Sequence, residues 1–290
     1  MQIATYAGTK AILEKYGHHP KKSLGQNFLI DPHVLGKIIR AADIGPEDTV
    51  LEIGPGIGGL TQALAQSAGH VIAVELDKRL IPVLKDHSLP NVEIIHSDIL
   101  DYTIPSHIQK VVANLPYYVT TPIVMHLLEN YHFQSITVMV QKEVAQRMVS
   151  TQGGKGDKGE KSYGALSLAI QYYADAEIAA NVPSNSFMPR PQVGSAVVHM
   201  NIKKEPPVTA DKKALFANIK AGFGQRRKTL VNSLFASELY PFDKNELATI
   251  ITELGFSESI RGEALTLEAW AKLTEALIAH ATKRSQNATV

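Results

Sequence analysis

Between Val50 and Leu60 the chain reads Val-Leu-Glu-Ile-Gly-Pro-Gly-Ile-Gly-Gly-Leu: a short apolar run, a glycine cluster, and the opening of a helix. An apolar run closed by glycines predicts a buried strand entering a tight turn. Gly54, Gly56 and Gly59 fall on a G-x-G-x-x-G spacing, where glycines let the backbone turn sharply and approach a ligand without a Cβ clash. The flanking segments narrow the architecture further. Periodicity predicts helices over 33–42, 60–67, 80–86, 123–130 and 142–149, and strands over 49–53, 70–76, 92–96, 110–113 and 135–140. This alternation predicts a Rossmann-like α/β domain, with a mostly parallel sheet covered by helices on both faces.

Residues 151–161 (TQGGKGDKGEK) interrupt the pattern. Four glycines and five charges in eleven positions cannot bury a face, which predicts a mobile loop. Leu166, Ala169, Ile170 and Tyr173 then mark one more helix, and 176–182 and 195–202 alternate as strands, so the sheet is predicted to end in an antiparallel pair. After Lys203-Lys204-Glu205-Pro206-Pro207 every segment reads as helix. Asp243 and Glu246 form a capping pair ahead of Leu247, Ile250, Ile251 and Leu254, with Gly255 as the stop, and a last helix is predicted over 266–280. These signals divide the chain into an α/β domain, 1–205, and a small all-helical domain, 206–290.

Composition excludes more than it selects. The absence of cysteine removes disulfides, zinc–thiolate sites, iron–sulfur clusters and cysteine nucleophiles. His18-His19 has no partner at metal-ligand spacing and reads as a solvated turn before Pro20, so no metal is expected. No stretch approaches the roughly 20 apolar residues of a membrane span, and Met1–Gly17 lacks the apolar core of a signal peptide. A cytoplasmic protein is the expectation, and a monomer, since neither heptads nor an apolar interface stripe occur. Net charge is only +1, yet Lys10, Lys15, Lys21 and Lys22, and again Lys220, Arg226, Arg227 and Lys228, concentrate positive charge. Either cluster alone reads as a solvated face; beside a nucleobase site they fit nucleic-acid phosphates.

The strand tips distinguish between cofactors. Glu75 ends the second strand, where a carboxylate accepts the hydroxyl hydrogens of a ribose, and Asp98 ends the third, within reach of an adenine amino group. Both NAD and S-adenosylmethionine carry these groups. Glu52, inside the glycine motif, repels a pyrophosphate but not a sulfonium, so Glu52, Gly54, Gly56, Glu75 and Asp98 together favour S-adenosylmethionine.

The fourth strand runs into Asn114-Leu115-Pro116-Tyr117-Tyr118, at the carboxyl edge where open α/β sheets bind ligands. The lone pair of an adenine amino nitrogen is delocalised into the ring. Acceptors at its two hydrogens, the Asn114 side-chain oxygen and the Leu115 carbonyl, draw that nitrogen toward tetrahedral geometry and free the lone pair to attack a methyl group. Pro116 fixes the turn, and Tyr117 can stack on the base, worth roughly 1–3 kcal/mol. The bland reading is a strand-exit turn with Tyr117 in the core.

With these residues in place the chain resembles the bacterial small-subunit ribosomal RNA adenine dimethyltransferases, the kasugamycin-resistance family. The resemblance is carried by Lys22–Leu29 (KSLGQNFL), the glycine motif, Asn114–Tyr117, Ser162–Ser167 (SYGALS), Phe187–Pro191 (FMPRP) with Val193–Val198, and Phe223–Leu230 (FGQRRKTL). It implies dimethylation of two adjacent adenosines near the 3′ end of 16S rRNA in an assembling 30S subunit, with the helical domain recognising RNA. It also implies cofactor contacts from Asn27, Leu29, Gly54, Glu75, Asp98 and Asn114. Asn27 and Leu29 have no chemical signature of their own. Phe187 fits a second stacking wall opposite Tyr117, a core plug being the alternative. Lys22, Arg226, Arg227 and Lys228 are the expected phosphate contacts. Three other readings stay open. An erythromycin-resistance-type enzyme acting on 23S rRNA shares Q-N-F-L and N-L-P-Y, an NAD-dependent oxidoreductase shares the glycine spacing, and a non-catalytic assembly factor could use the same fold.

Overall fold

The glycine segment forms the centre of a sheet. In the computed structural model, which describes residues 2–21, 24–156, 162–225 and 227–287, the chain makes two compact units: Met1–Gln146 with Ala174–Ile202, and Arg147–Tyr173 with Lys203–Val290. The first contains α1 (Tyr6–Lys15), β1 (Phe28–Leu29), α2 (Pro32–Ala41), β2 (Thr49–Ile53), α3 (Gly59–Ser67), β3 (His70–Glu75), α4 (Ile81–His87), β4 (Val92–His96), β5 (Lys110–Asn114), α5 (Thr120–Asn130) and β6 (Ser135–Gln141). The chain leaves this unit within α6 (Lys142–Met148) and returns as β7 (Ala174–Val182), β8 (Phe187–Met188) and β9 (Ser195–Ile202).

Seven strands pair in the order β4-β3-β2-β5-β6-β9-β7. From β4 to β6 they are parallel, and β9 runs antiparallel to both β6 and β7, as the alternating pattern predicts. The chain winds outward from β2 through β3 to β4, then crosses to β5 on the other side of β2. That reversal opens a crevice at the carboxyl ends of β2 and β5. Val50, Leu51, Val71, Val111, Val112 and Val138 are all buried, which is why these strands read as nearly continuous apolar runs rather than alternating ones. Asp31 starts α2 by accepting a hydrogen bond from His33 N at 3.0 Å, with Pro32 in the first turn. Gly58, at φ 90°, adopts the left-handed conformation from which α3 departs.

The second unit consists of α7 (Ala165–Tyr173), α8 (Lys212–Gly224), α9 (Leu230–Phe235), α10 (Lys244–Glu253) and α11 (Leu267–Asn287). Its core gathers Leu168, Leu215, Leu230, Ile251, Trp270 and Leu277. The stretch 147–173 falls on this side, ahead of the double proline, because Tyr163, Leu168 and Tyr172 are buried in that core and the Tyr163 hydroxyl donates to Leu265 O at 2.9 Å. Of the glycine- and lysine-rich loop, residues 157–161 lie outside the described residues. The Asp243–Glu246 capping box forms in both directions, at 2.8 and 2.7 Å. The last helix continues past the predicted 280 to Asn287, where Arg284 pairs with Glu246. No helix among the described residues is long and apolar enough to cross a membrane.

Two buried positions give stability tests. Glu52 in β2 is 1% exposed, and both its carboxylate oxygens lie buried beside Thr61. Burial, opposed by hydrogen bonding from Thr61 and aided by the negative charge of Glu75, pushes its carboxyl up to about 8. The folded chain therefore holds this proton more tightly than the unfolded chain does. Its contribution is complete below about pH 4.5 and is lost as pH rises through about 8, at up to about 1.4 kcal/mol per pH unit. Glu52→Gln should flatten urea-unfolding stability over that window; an unaltered slope would mean that the carboxyl is ionised in the fold. In the second unit, a Cβ on Gly222 would come within 2.3 Å of Trp270 Cη2. Gly222→Ala should cost about 1–3 kcal/mol by overpacking, read as a lower unfolding midpoint, whereas an unmoved midpoint would show that Trp270 can shift aside.

Candidate active site

The crevice at the β2–β5 reversal is a cleft of ≈ 230 Å³ whose lining includes Asn27, Leu29, Gly54, Gly56, Glu75, Asp98 and Asn114–Tyr117. Residues proposed separately from five stretches of sequence thus meet at one place. Gly54 and Gly56 have φ of 68° and 63°, a backbone conformation that disfavours any side chain. At Gly56 a Cβ would also stand 3.0 Å from the Phe28 ring, so the glycine makes room for the segment beside it.

Glu75 is buried and holds the glycine turn. Its Oε2 accepts from Gly56 N at 2.9 Å and its Oε1 from Asp77 N at 2.7 Å. Burial raises its pKa above the usual carboxylate range, against the lowering effect of these two N–H groups. Each oxygen keeps a lone pair, so the carboxylate can still accept from a ligand hydroxyl. Asp98 is held by Leu100 N at 3.0 Å. Exposed Leu76 and buried Ile99 add apolar surface next to these acids.

The charge of the lining decides what it can hold. Three carboxyl residues, Glu52, Glu75 and Asp98, line the cleft, and among the described residues no lysine, arginine or histidine does. A dinucleotide pyrophosphate would bring negative charge to an acidic wall with no compensating cation. A ligand with a cationic sulfur brings no such repulsion.

The Asn114 loop carries the second half of the site. Asn114 Nδ2 donates to the Asn27 carbonyl at 3.1 Å. A carbonyl only accepts, so this bond fixes which end of the amide faces it and leaves Oδ1 as the acceptor. Leu115 N donates to Met139 O at 3.1 Å, extending the β5–β6 pairing by one residue. The Pro116 carbonyl is taken by Val119 N at 3.2 Å and Thr120 Oγ1 at 3.1 Å. The Leu115 carbonyl accepts no bond among the described residues, so Asn114 Oδ1 and Leu115 O are the acceptors the loop leaves open. Tyr117 lines the cleft while its hydroxyl shares a 2.7 Å hydrogen bond with Ser195 Oγ on β9. Burial raises the phenol pKa.

Phe187 is placed differently. Its strand pairs with β1, Leu29 opposite Phe187, and at 3% exposure it packs with Leu29, Val34, Val182 and Val197 rather than lining the cleft. The pairing turns it into the core, the core-plug reading of F-x-P-x-P. Lys22 and Arg226 lie outside the described residues, whereas Arg227 and Lys228 are exposed in the second unit. Sequence reasoning missed Gly25, Gln26, Asp77 and Ser195. Gly25 and Gln26 stand in Lys22–Leu29 and Ser195 in Val193–Val198, stretches that carry the family resemblance, but none was given a chemical role; Asp77 had no signal.

Comparison with known proteins agrees with this geometry. A model of the ribosomal RNA adenine dimethylase family matches residues 17–272. The ribosomal RNA small subunit methyltransferase A of Lachnoclostridium phytofermentans is 52% identical over 92% of this chain and 94% of its own length. The protein of that name from Shouchella clausii is 46% identical over 95% of each. Among solved structures, a dimethyladenosine transferase from Plasmodium falciparum has a TM-score of 0.72 at 26% identity, covering 89% of this chain and 98% of that one. The 23S rRNA methyltransferase ErmE has a TM-score of 0.63 at 27% identity, covering 87% of this chain and all (100%) of that one. By sequence over nearly its full length and by the site it builds, the chain belongs to the ribosomal RNA adenine dimethylase family.

Proposed function

We propose that this chain dimethylates the amino nitrogen of adenosines in small-subunit ribosomal RNA, with S-adenosylmethionine as donor, through the Asn114–Tyr117 loop. One observation carries the reading: the Asn114 amide is held by its nitrogen on the Asn27 carbonyl, so that its oxygen is the group left for a substrate N–H. The bound cofactor supplies a methyl group on a cationic sulfur. Asn114 Oδ1 and Leu115 O accept the two amino hydrogens of adenine and weaken the conjugation of its nitrogen with the ring. Tyr117 offers its face to the base. No general base is required before attack, because the amine attacks while neutral and the surplus proton leaves afterwards to water. Catalysis is then positioning and fixed dipoles.

Relatives at 46–52% identity bear a small-subunit name, while the 23S enzyme is 27% identical, which favours small-subunit RNA over large. We place the two adjacent adenosines near the 3′ end of 16S rRNA as the target, in an assembling 30S subunit in the cytoplasm. The protein acts as a monomer, with residues 206–290 recognising RNA. The site supports Gly54, Gly56, Glu75, Asp98, Asn27 and Leu29 as cofactor contacts. Exposed Arg227 and Lys228 fit phosphate contacts, with Lys22 and Arg226 in the same role.

The direct test supplies labelled methyl donor with under-methylated small or large subunits. Label is expected on small-subunit adenosine; label confined to large-subunit RNA, or on neither, would sink the proposal. Asn114→Ala should lower transfer by about 10²–10³-fold while particle binding survives. Equal loss of binding would make Asn114 a structural residue only. Replacing Arg227 and Lys228 together by alanine should weaken binding and reduce the slope of log affinity against log salt by roughly 1.4–1.8; an unchanged slope removes them from the interface.

A further inference from the structure

The segment before β1 is tied to the catalytic turn by three neighbouring residues. Gly25, at φ 60°, lies so close to it that a Cβ there would be 3.2 Å from Pro116 Cβ and 3.4 Å from Tyr118 Cδ1. Gln26 Nε2 donates to Asp77 Oδ2 at 2.9 Å, and its Oε1 accepts from Lys21 N at 2.8 Å. Asn27 presents its backbone carbonyl to Asn114 Nδ2 at 3.1 Å, while its own side-chain amide donates to Gly25 O at 3.0 Å and closes the turn. Asp77 N in turn donates to Glu75, which holds Gly56. A continuous set of hydrogen bonds thus runs from the glycine loop, through Glu75, Asp77 and Gln26, to the turn that aims Asn114.

The geometry points to Gly25, Gln26 and Asn27 as a clasp that positions the Asn114 amide for methyl transfer, a role distinct from contact with the cofactor; this rests on the function proposed above. Asn114 stands at the end of β5, where its backbone is fixed by the sheet but the side chain still rotates about two bonds. Only an acceptor placed opposite Nδ2 ensures that Oδ1, and not the amino group, meets a substrate N–H. With the amide turned over, two donors would face each other. The clasp supplies that acceptor from a backbone carbonyl, whose aim depends on the turn made by Gly25 and the Asn27 side chain. Pro116 has no N–H and a fixed φ, so its ring is a rigid surface for the bare Gly25 to rest on.

Asn27→Asp keeps the size of the side chain and removes the donor to Gly25 O. Its kcat should fall roughly tenfold to a hundredfold, as for a misplaced reacting group. Gly25→Ala, which presses on Pro116 from the other side, should lower kcat to a similar extent while its calorimetric Kd for S-adenosylhomocysteine stays within about twofold. In both variants the side-chain amide resonances of Asn114 should move, and in the wild-type protein one of its two amide protons should be protected from exchange. In Gly25→Ala, loss of kcat matched by loss of cofactor affinity would reduce the segment to a wall of the cofactor pocket and overturn the clasp. So would unchanged kcat and unmoved resonances, or two equally unprotected Asn114 amide protons in the wild type. The wild-type exchange measurement holds even if a variant fails to fold. A wild type that transfers no methyl to RNA defeats the functional reading, whereas the Asn114 resonances test the clasp independently of it.

Discussion

The parallel pairing of β2 with β5 is the constraint from which the site follows. Ile53 stands opposite Ala113, so the glycine turn and the Asn114 turn leave the sheet side by side, at the one place where the winding direction reverses. Backbone groups at the ends of two parallel strands lack ladder partners, and helices leave on both faces, so a crevice is unavoidable there. The sequence between the strands then determines what the crevice holds. Buried valines in β2, β3 and β5 hold the strand ends rigidly, and placing a donor, an acceptor and a base in line demands that rigidity.

Electrostatics selects the ligand. Glu52 and Glu75 both have pKa values raised by burial, and a like charge nearby raises the cost of ionising either one. A cationic ligand relieves that cost, and an anionic one compounds it. G-x-G-x-x-G alone does not separate a dinucleotide from a cationic ligand.

How much was legible in the sequence varied with the kind of signal. The parallel strands and their helices were legible because burial on two faces writes continuous apolar runs, and because Asp31-Pro32 and Asp243 with Glu246 are local caps whose partners lie within four residues. Glu75, Asp98 and Asn114 were legible because strand ends point one way in a parallel sheet. Phe187 was not, because the same Phe-Met-Pro-Arg-Pro string serves an exposed ring or a buried one. The choice is made by Leu29, some 160 residues earlier, through a two-residue strand pairing that leaves no periodicity. The grouping of 147–173 with the C-terminal helices was hidden for a related reason. Tyr163 and Tyr172 look alike whichever core receives them, and the proline pair at 206–207 is the louder local boundary signal.

Catalysis by positioning makes the supporting contacts as consequential as the reacting groups. In the proposed reaction the amine attacks while neutral, and the chain contributes two acceptors and one ring. Each acceptor is worth having only where it is aimed. Asn114 Oδ1 depends on the Asn27 carbonyl, Leu115 O on the bond from Leu115 N to Met139, and Tyr117 on Ser195. Those three supports come from the segment before β1, from β6 and from β9, so the antiparallel end of the sheet and the stretch ahead of the first sheet strand both serve the reaction. A fold reduced to β2, β3, β4 and β5 would keep the glycine turn, Glu75 and Asp98 yet lose the supports of the Asn114 loop.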